Sequence, residues 1–298
     1  MVALTLDQIR VFIAVADAGS FSKAAKSLNR AQSAVTYAIK RLEAETEVVV
    51  FDRSAYRPVL TEGGKALLVR ARRIAEEASA FHDQATSLAS GLEPELSIAL
   101  DPMFPMPVVV DALKAFSARF PSVPPRVHVL SLGAAAKLVT EGTCVIGMLP
   151  LIISDLTLLK SFPMLRIDLV PVVAASHPLA FLDGPIATET LHRFVQLVLS
   201  DASEITAGRD YGILSSRTWR VADLGAKKSM LLAGLGWGSM PAHLVVDEIA
   251  RGELTRIDPA GFDPMTARLV LAAAYSAERS LGPAAAWMID HLGHTRDR

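Results

Sequence analysis

The chain has 298 residues, 51% of them hydrophobic, enough for two or three domains around a sizeable buried core. Its formal net charge is −1, which excludes a protein coated in nucleic acid along its length. The charge is uneven, however: Met1 to Arg73 carries twelve Lys and Arg against seven Asp and Glu, so a basic head precedes an acidic body and only the head is expected to meet phosphate.

Thr5 is placed to cap a helix with Gln8 as its capping-box partner, and Gly19 stops that helix. From Ser20 to Glu43 two short helical patterns follow, separated by Asn29-Arg30. Phe21, Ala24, Ala25 and Leu28 form the apolar face of the first, and Ala31, Val35, Ile39 and Leu42 that of the second. The outer face of the second carries Gln32, Ser33, Thr36, Tyr37 and Lys40, with no acidic group. Two short helices in a tight turn, the second polar and basic outside, describe a helix-turn-helix. Val48 to Phe51 and Val59 to Thr61 are expected to pair as a wing, with Arg53 and Arg57 at its tip where phosphates would lie.

A long helix is expected from Lys65 to Ser90. Leu67, Ala71, Ile74, Ala78, Phe81, Ala85 and Leu88 are spaced alternately by four and three, an a/d seam over three heptads. A seam that narrow is expected to pair with a second copy rather than pack on its own domain, giving a dimer.

From Glu95 strands and helices alternate. Strands are expected at 96–100, 126–131 and 144–148, with helices at 108–120 and 134–141 between them. A second set follows, with strands at 166–174, 194–199 and 217–221 and helices at 188–193, 224–232 and 242–251. A last strand at 268–274 and helix at 282–292 return to the first lobe. The fold class is α/β: a winged helix-turn-helix (1–64), a linker helix (65–90), and a two-lobed α/β domain (91–298). Its first lobe spans 91–164 and 268–298, its second 165–267.

Two such lobes enclose a cleft, which open α/β sheets use for small molecules at their strand ends. The candidate lining is Asp101, Met103, Phe104, Ser131, Ser200, Asp201 and Trp237. Gly234-Leu235-Gly236-Trp237-Gly238 follows a helix rather than a strand, so it reads as a helix-ending turn beside the cleft and not as a dinucleotide loop. No nucleophile–base pair or metal motif is evident, and His291 and His294 read as a solvated helix end. The expectation is therefore no catalysis, no metal and no cofactor. Asp7 and Arg10 interrupt any leader-like apolar run, and the apolar stretch from Ser229 to Val246 contains three glycines and Pro241, which makes it a poor membrane span. Cys144 alone cannot form an intrachain disulfide and fits a cytoplasmic setting.

With these elements in order, the chain resembles the LysR-type transcriptional regulators over essentially its whole length. The head carries Phe12, Gly19-Ser20-Phe21, Ala24-Ala25, Leu28, Gln32-Ser33-Ala34-Val35, Ile39 and Leu42-Glu43, then Phe51, Arg53, Leu60-Thr61 and Gly64. The body carries Phe120-Pro121, His177-Pro178-Leu179, Gly234-Leu235-Gly236 before Pro241, and Gly252-Glu253-Leu254. The resemblance implies a regulator that reads double-stranded operator DNA of partial dyad symmetry. Gln32, Ser33, Thr36 and Tyr37 would meet base edges, and Arg53 phosphate, with Arg57, Lys40 and Arg30 beside it. It implies a homodimer, a homotetramer through the effector domains, RNA polymerase as partner of an activator, and a small-molecule co-inducer. Members of the family often hold an anionic effector with a Ser or Thr and a helix N-terminus. Met103, Phe104 and Pro105 with Asp101 imply a partly apolar effector here instead. The chain departs from the family's pattern at Ala31, usually a capping Ser, so that Ser33 or Asn29 would have to cap, and at Thr46-Glu47, usually Leu-Gly. A two-lobed solute-binding protein without DNA activity is the alternative, and it would not need the basic head.

Overall fold

The computed structural model describes residues 4–52, 58–151, 158–201, 203, 212–265 and 267–294. The chain divides into two compact units, Met1–Ala89 and Ser90–Arg298.

The first unit contains α1 (Leu6–Ala18), α2 (Phe21–Ser27), α3 (Gln32–Thr46), β1 (Phe51–Asp52), β2 (Val59–Leu60) and α4 (Glu62–Ala89). The Thr5–Gln8 capping box forms, and Gly19 ends α1 at φ 56°. Val11, Phe12, Val15, Val35, Ile39, Val50 and Phe51 make the core. Phe51 lies edge-on to Phe12 and Phe21 at ring distances of 5.6 and 5.7 Å, fixing the wing to α1 and α2. The first wing strand is shorter than its alternating sequence suggests, because the Glu43 carboxylate accepts the amides of Val50 and Phe51 at 3.0 and 3.3 Å. Gly64 is buried where a Cβ would lie 2.1 Å from the Val50 carbonyl oxygen, so only glycine lets α4 start against the wing. The wing tip, with Arg53 and Arg57, lies outside the described residues.

Ala31 stands at the N-cap of α3 with no side-chain cap, and neither Ser33 nor Asn29 replaces it: Ser33 is inside the helix and Asn29 is left-handed at φ 53°. At the other end Glu47 takes the left-handed conformation, φ 56° and ψ 22°, where a glycine would carry no Cβ penalty.

The second unit runs β3 (Leu96–Leu100), α5 (Met106–Arg119), β4 (Pro125–Val129), α6 (Gly133–Thr140), β5 (Ile146–Pro150) and β6 (Leu159–Ala174). It continues with β7 (Pro185–Ile186), α7 (Thr188–Leu191), β8 (Gln196–Leu199), β9 (Thr218–Val221), α8 (Leu224–Leu232) and β10 (Trp237–Pro241). It closes with α9 (Val246–Ala250), β11 (Leu254–Arg256), β12 (Asp258–Pro259), β13 (Arg268–Ser276) and α10 (Pro283–His294). Strand order among the described residues is β4-β3-β5-β13-β6-β10-β8-β9, with β11 also on β6. The long strand β6 is the crossing element. Leu159 to Asp168 pair with β13 in the first lobe, and Leu169 to Ala174 pair with β10 and β11 in the second. The bulge at Leu271/Ala272 falls opposite Pro163 and Leu165, where proline removes a ladder donor.

Besides β6, expected from 166 but starting at Leu159, two expectations change in this unit. The helix expected at 242–251 is a 3-10 turn, Ala242–Leu244, followed by α9, because the Lys228 ammonium takes the Leu244 carbonyl at 2.7 Å. The glycine stretch expected to be only a turn ends α8 at Gly234 (φ 72°) and then becomes strand β10. A Cβ at Gly236 or Gly238 would lie 2.3 or 2.5 Å from the carbonyl oxygens of Val195 and Leu197, so these glycines permit close pairing with β8.

Candidate functional site

The outer face of α3 forms as its sequence predicts. Val35, Ile39 and Leu42 are buried, while Gln32, Ser33, Tyr37 and Lys40 are exposed, Tyr37 by 63%. Thr36 is half-buried and its hydroxyl donates to the Gln32 carbonyl at 2.9 Å. Arg30 differs from Lys40, because it forms a two-pronged pair with Asp7 at 2.8 and 2.7 Å. That guanidinium holds the Asp7 carboxyl below its usual range.

On α4 the apolar stripe divides. Ala71 is buried and Leu67 packs partly against the head's core, whereas Ile74, Phe81 and Leu88 are exposed by 45%, 75% and 46%. The unpartnered part of the seam therefore begins at Ile74. Val69, off the seam, is also exposed.

The second unit holds a cavity of about 380 Å³ among the ends of β8, α8, β10 and the crossing strands, with Met103 and Leu132 reaching it from the first lobe. Its wall is largely apolar: Leu169, Leu197, Leu199, Leu224 and Leu269 contribute, and Lys227 and Asp263 bring charge. Of the seven residues expected to line the cleft, only Met103 lines this cavity.

The other six have different surroundings. Phe104 is wholly buried in the hydrophobic core. Trp237 is wholly buried against Val173, Leu179, Ile186 and Leu191. Ser131 is buried at the end of the β4 turn, and Ser200 donates its amide to the Val221 carbonyl at 2.9 Å. Asp101, also wholly buried, is a brace: its carboxylate accepts the amides of Met103 at 2.8 Å and Leu132 at 2.6 Å. Burial pushes its carboxyl up to about 6; the two amides act against that and the charge of Asp201 adds to it. Asp201, from the second lobe, accepts the Ala134 amide at the start of α6 at 3.0 Å, and Ser203 donates to it through both amide and hydroxyl.

Lys227 escapes the sequence reading. It is 4% exposed, and its ammonium donates to the Ser239 carbonyl at 2.7 Å. Burial pulls its amine down to about 8. The signal was its place on α8, because Leu224, Lys227 and Leu231 share one buried face at spacings of three and four.

No group of three or more potential metal ligands occurs among the described residues, and no described helix is long and apolar enough to cross a membrane. Cys144 is buried against Ala135 and Val139, and desolvation pushes its thiol up to about 11.

Two family descriptions match the chain: "Bacterial regulatory helix-turn-helix protein, lysR family" over residues 6–65, and "LysR substrate binding domain" over 89–296. The chain is 29% identical to the probable HTH-type transcriptional regulator YhaJ of Escherichia coli over 295 residues, 97% of this chain and 96% of that protein. It is 26% identical to the HTH-type transcriptional regulator AceR of Acinetobacter baumannii, covering 97% of each. Among solved structures, an OxyR cysteine mutant from Corynebacterium glutamicum shares the fold at 21% identity and a TM-score of 0.55, over 98% of this chain and 93% of that one. The basic helix-turn-helix head separates the chain from a two-lobed solute-binding protein: it belongs to the LysR family of DNA-binding transcriptional regulators, with that family's substrate-binding domain behind the head.

Proposed function

We propose that α3 enters the major groove of a partly dyad-symmetric operator and reads base edges with Gln32, Ser33, Thr36 and Tyr37. The observation that carries this is the division of α3 into a buried apolar face and an exposed polar one without a carboxylate in its first three turns. A glutamine amide pairs with adenine, and hydroxyls pair with several bases. Lys40, with Arg53 and Arg57 from the wing, neutralises phosphates; Arg30, already paired with Asp7, contributes less charge. Two copies associate along α4 from Ile74 to Leu88, and the substrate-binding domains join the dimers into a tetramer. The cavity in the second unit takes a small-molecule co-inducer, and a ligand that favours one arrangement of the lobes shifts the regulator's population toward it. The protein acts in the cytoplasm, without a cofactor or a catalytic step of its own, and an activating form would contact RNA polymerase.

Immunoprecipitated genomic DNA supplies the operator, and binding-site selection with Gln32→Ala tests the readout. Losing a bidentate base contact costs about 1–3 kcal/mol at one position. The variant's binding-site logo should relax at one base pair in each half-site and stay sharp elsewhere; an unchanged logo would remove Gln32 from the readout.

A further inference from the structure

We infer that the effector is a small monoanion, an apolar body with one carboxylate-like group, whose charge pairs with Lys227 inside the cavity. This rests on the reading of that cavity as the effector site and names the chemistry it selects.

An ammonium in an apolar wall needs a counter-charge, because an ion out of water is stabilised only by a partner that replaces its solvation. Lys227 has a single carbonyl, that of Ser239, and no carboxylate partner among the described residues; the nearby Glu248 pairs with Lys228 instead. Asp263 also lines the cavity, but it is exposed and its carboxylate accepts the Met265 amide at 2.9 Å. The amine remains mostly protonated at neutral pH although desolvation lowers it to about 8.

The other place where an anion would settle is already taken. Helix N-termini attract anions through their free amides. Around the start of α6, Leu132 and Ala134 give their amides to the chain's own Asp101 and Asp201. A ligand acid there would meet two carboxylates. The same ligand turned toward Lys227 meets an uncompensated cation, while Met103, Leu132, Leu197 and Leu269 receive its apolar body. A cavity of about 380 Å³ suits a single aromatic ring or a short acyl chain rather than a nucleotide.

The test uses the full chain and two matched pairs of probes, benzoate with benzamide and hexanoate with hexanamide. Affinities are measured by calorimetry on wild type, Lys227→Met, and the cavity-filling Leu199→Trp. In wild type each carboxylate should bind about ten- to a hundredfold tighter than its amide, the worth of a hydrogen bond to a charged group. Lys227→Met should erase that preference, and Leu199→Trp should abolish both series. Where Lys227→Met fails to fold, Lys227→Gln keeps a donor for the Ser239 carbonyl without the charge, and should erase the preference equally. A preference that survived in the Lys227 variants, or amides that bound wild type as well as the acids, would overturn the inference while leaving the cavity as the site. Binding untouched by Leu199→Trp would remove the site itself and the inference with it. Absence of binding by every probe would also overturn the inference.

Discussion

The Asp101 carboxylate holds the Leu132 amide at 2.6 Å, and Leu132 is a non-glycine residue at φ 59° and ψ −136°. A residue kept in so sparsely populated a conformation costs about 1–3 kcal/mol and persists only where its surroundings force it. Here the forcing group is a buried acid on the end of β3, and the strained residue opens α6 and lines the cavity. The brace thus fixes the mouth of the site, although its carboxylate does not line it.

That brace has a pH signature. The folded-state carboxyl titrates at about 6 against an ordinary 3.8, so between those values the folded chain binds more protons than the unfolded one. Stability should therefore fall as pH rises through that window, by about 3 kcal/mol from this group alone. Urea unfolding of the second unit at a series of pH values, wild type against Asp101→Asn, isolates the contribution. The difference between the two curves should change between pH 4 and 6 and be flat above it.

Much of this architecture was readable in the residues. The Thr5–Gln8 box and Gly19 set α1, and the apolar spacing of Val35, Ile39 and Leu42 set α3, because those signals are local. What escaped depends on distant partners. β10 was hidden because Gly236 and Gly238 look like turn residues until β8 lies against them. The first part of β6, before 166, was hidden by Pro163, which the sheet tolerates at a bulge. Asp101 and Asp201 resembled cleft residues because both follow strands, yet each spends its carboxylate on backbone amides. Lys227 shares the spacing of Leu224 and Leu231 on α8, but the strands that bury that face, β6 and β8 among them, are distant in sequence.

Lys227 should weaken the fold that contains it. Its amine is lowered from 10.5 to about 8, so the folded state binds fewer protons than the unfolded state between those values. Stability then rises as pH increases from about 8 toward 10.5, and below pH 8 the whole penalty is present. Lys227→Met should stabilise the second unit at pH 7 by about 2 kcal/mol, after allowing for the lost bond to the Ser239 carbonyl. Thermal unfolding of the two proteins at pH 7 and pH 10 checks this: the gap should narrow at the higher pH.

Glu47 offers a gain in the head. It ends α3 in the left-handed region with an exposed side chain, so a Cβ is carried there at a steric cost. Glu47→Gly removes that cost, partly offset by the greater freedom of glycine in the unfolded chain. The first unit should gain about 1 kcal/mol, read as a rise in its denaturation midpoint.

Phe81 is the most exposed apolar residue of the α4 seam at 75%. Phe81→Asp would place a charge in the helix pairing proposed from Ile74 onward, where an unpaired buried carboxylate is strongly disfavoured. Sedimentation should show the mass falling by half or more, and operator affinity should fall with it. Leu67→Ala should instead act mainly on the stability of the head, whose core Leu67 joins.

The cations of the head should separate by their partners. Lys40 is exposed on the outer face of α3, whereas Arg30 is held by both oxygens of Asp7. A phosphate contact releases about one counterion, so Lys40→Ala should weaken binding to every operator and lower the salt slope by about one. Arg30→Ala removes a charge that Asp7 already neutralises and leaves that carboxylate bare. Its affinity should fall through added repulsion, yet its salt slope should change by less than that of Lys40→Ala. Fluorescence anisotropy against a salt series on one operator distinguishes them. Equal slope changes would mean that Asp7 releases Arg30 on DNA, and that the pair is a feature of the free protein alone.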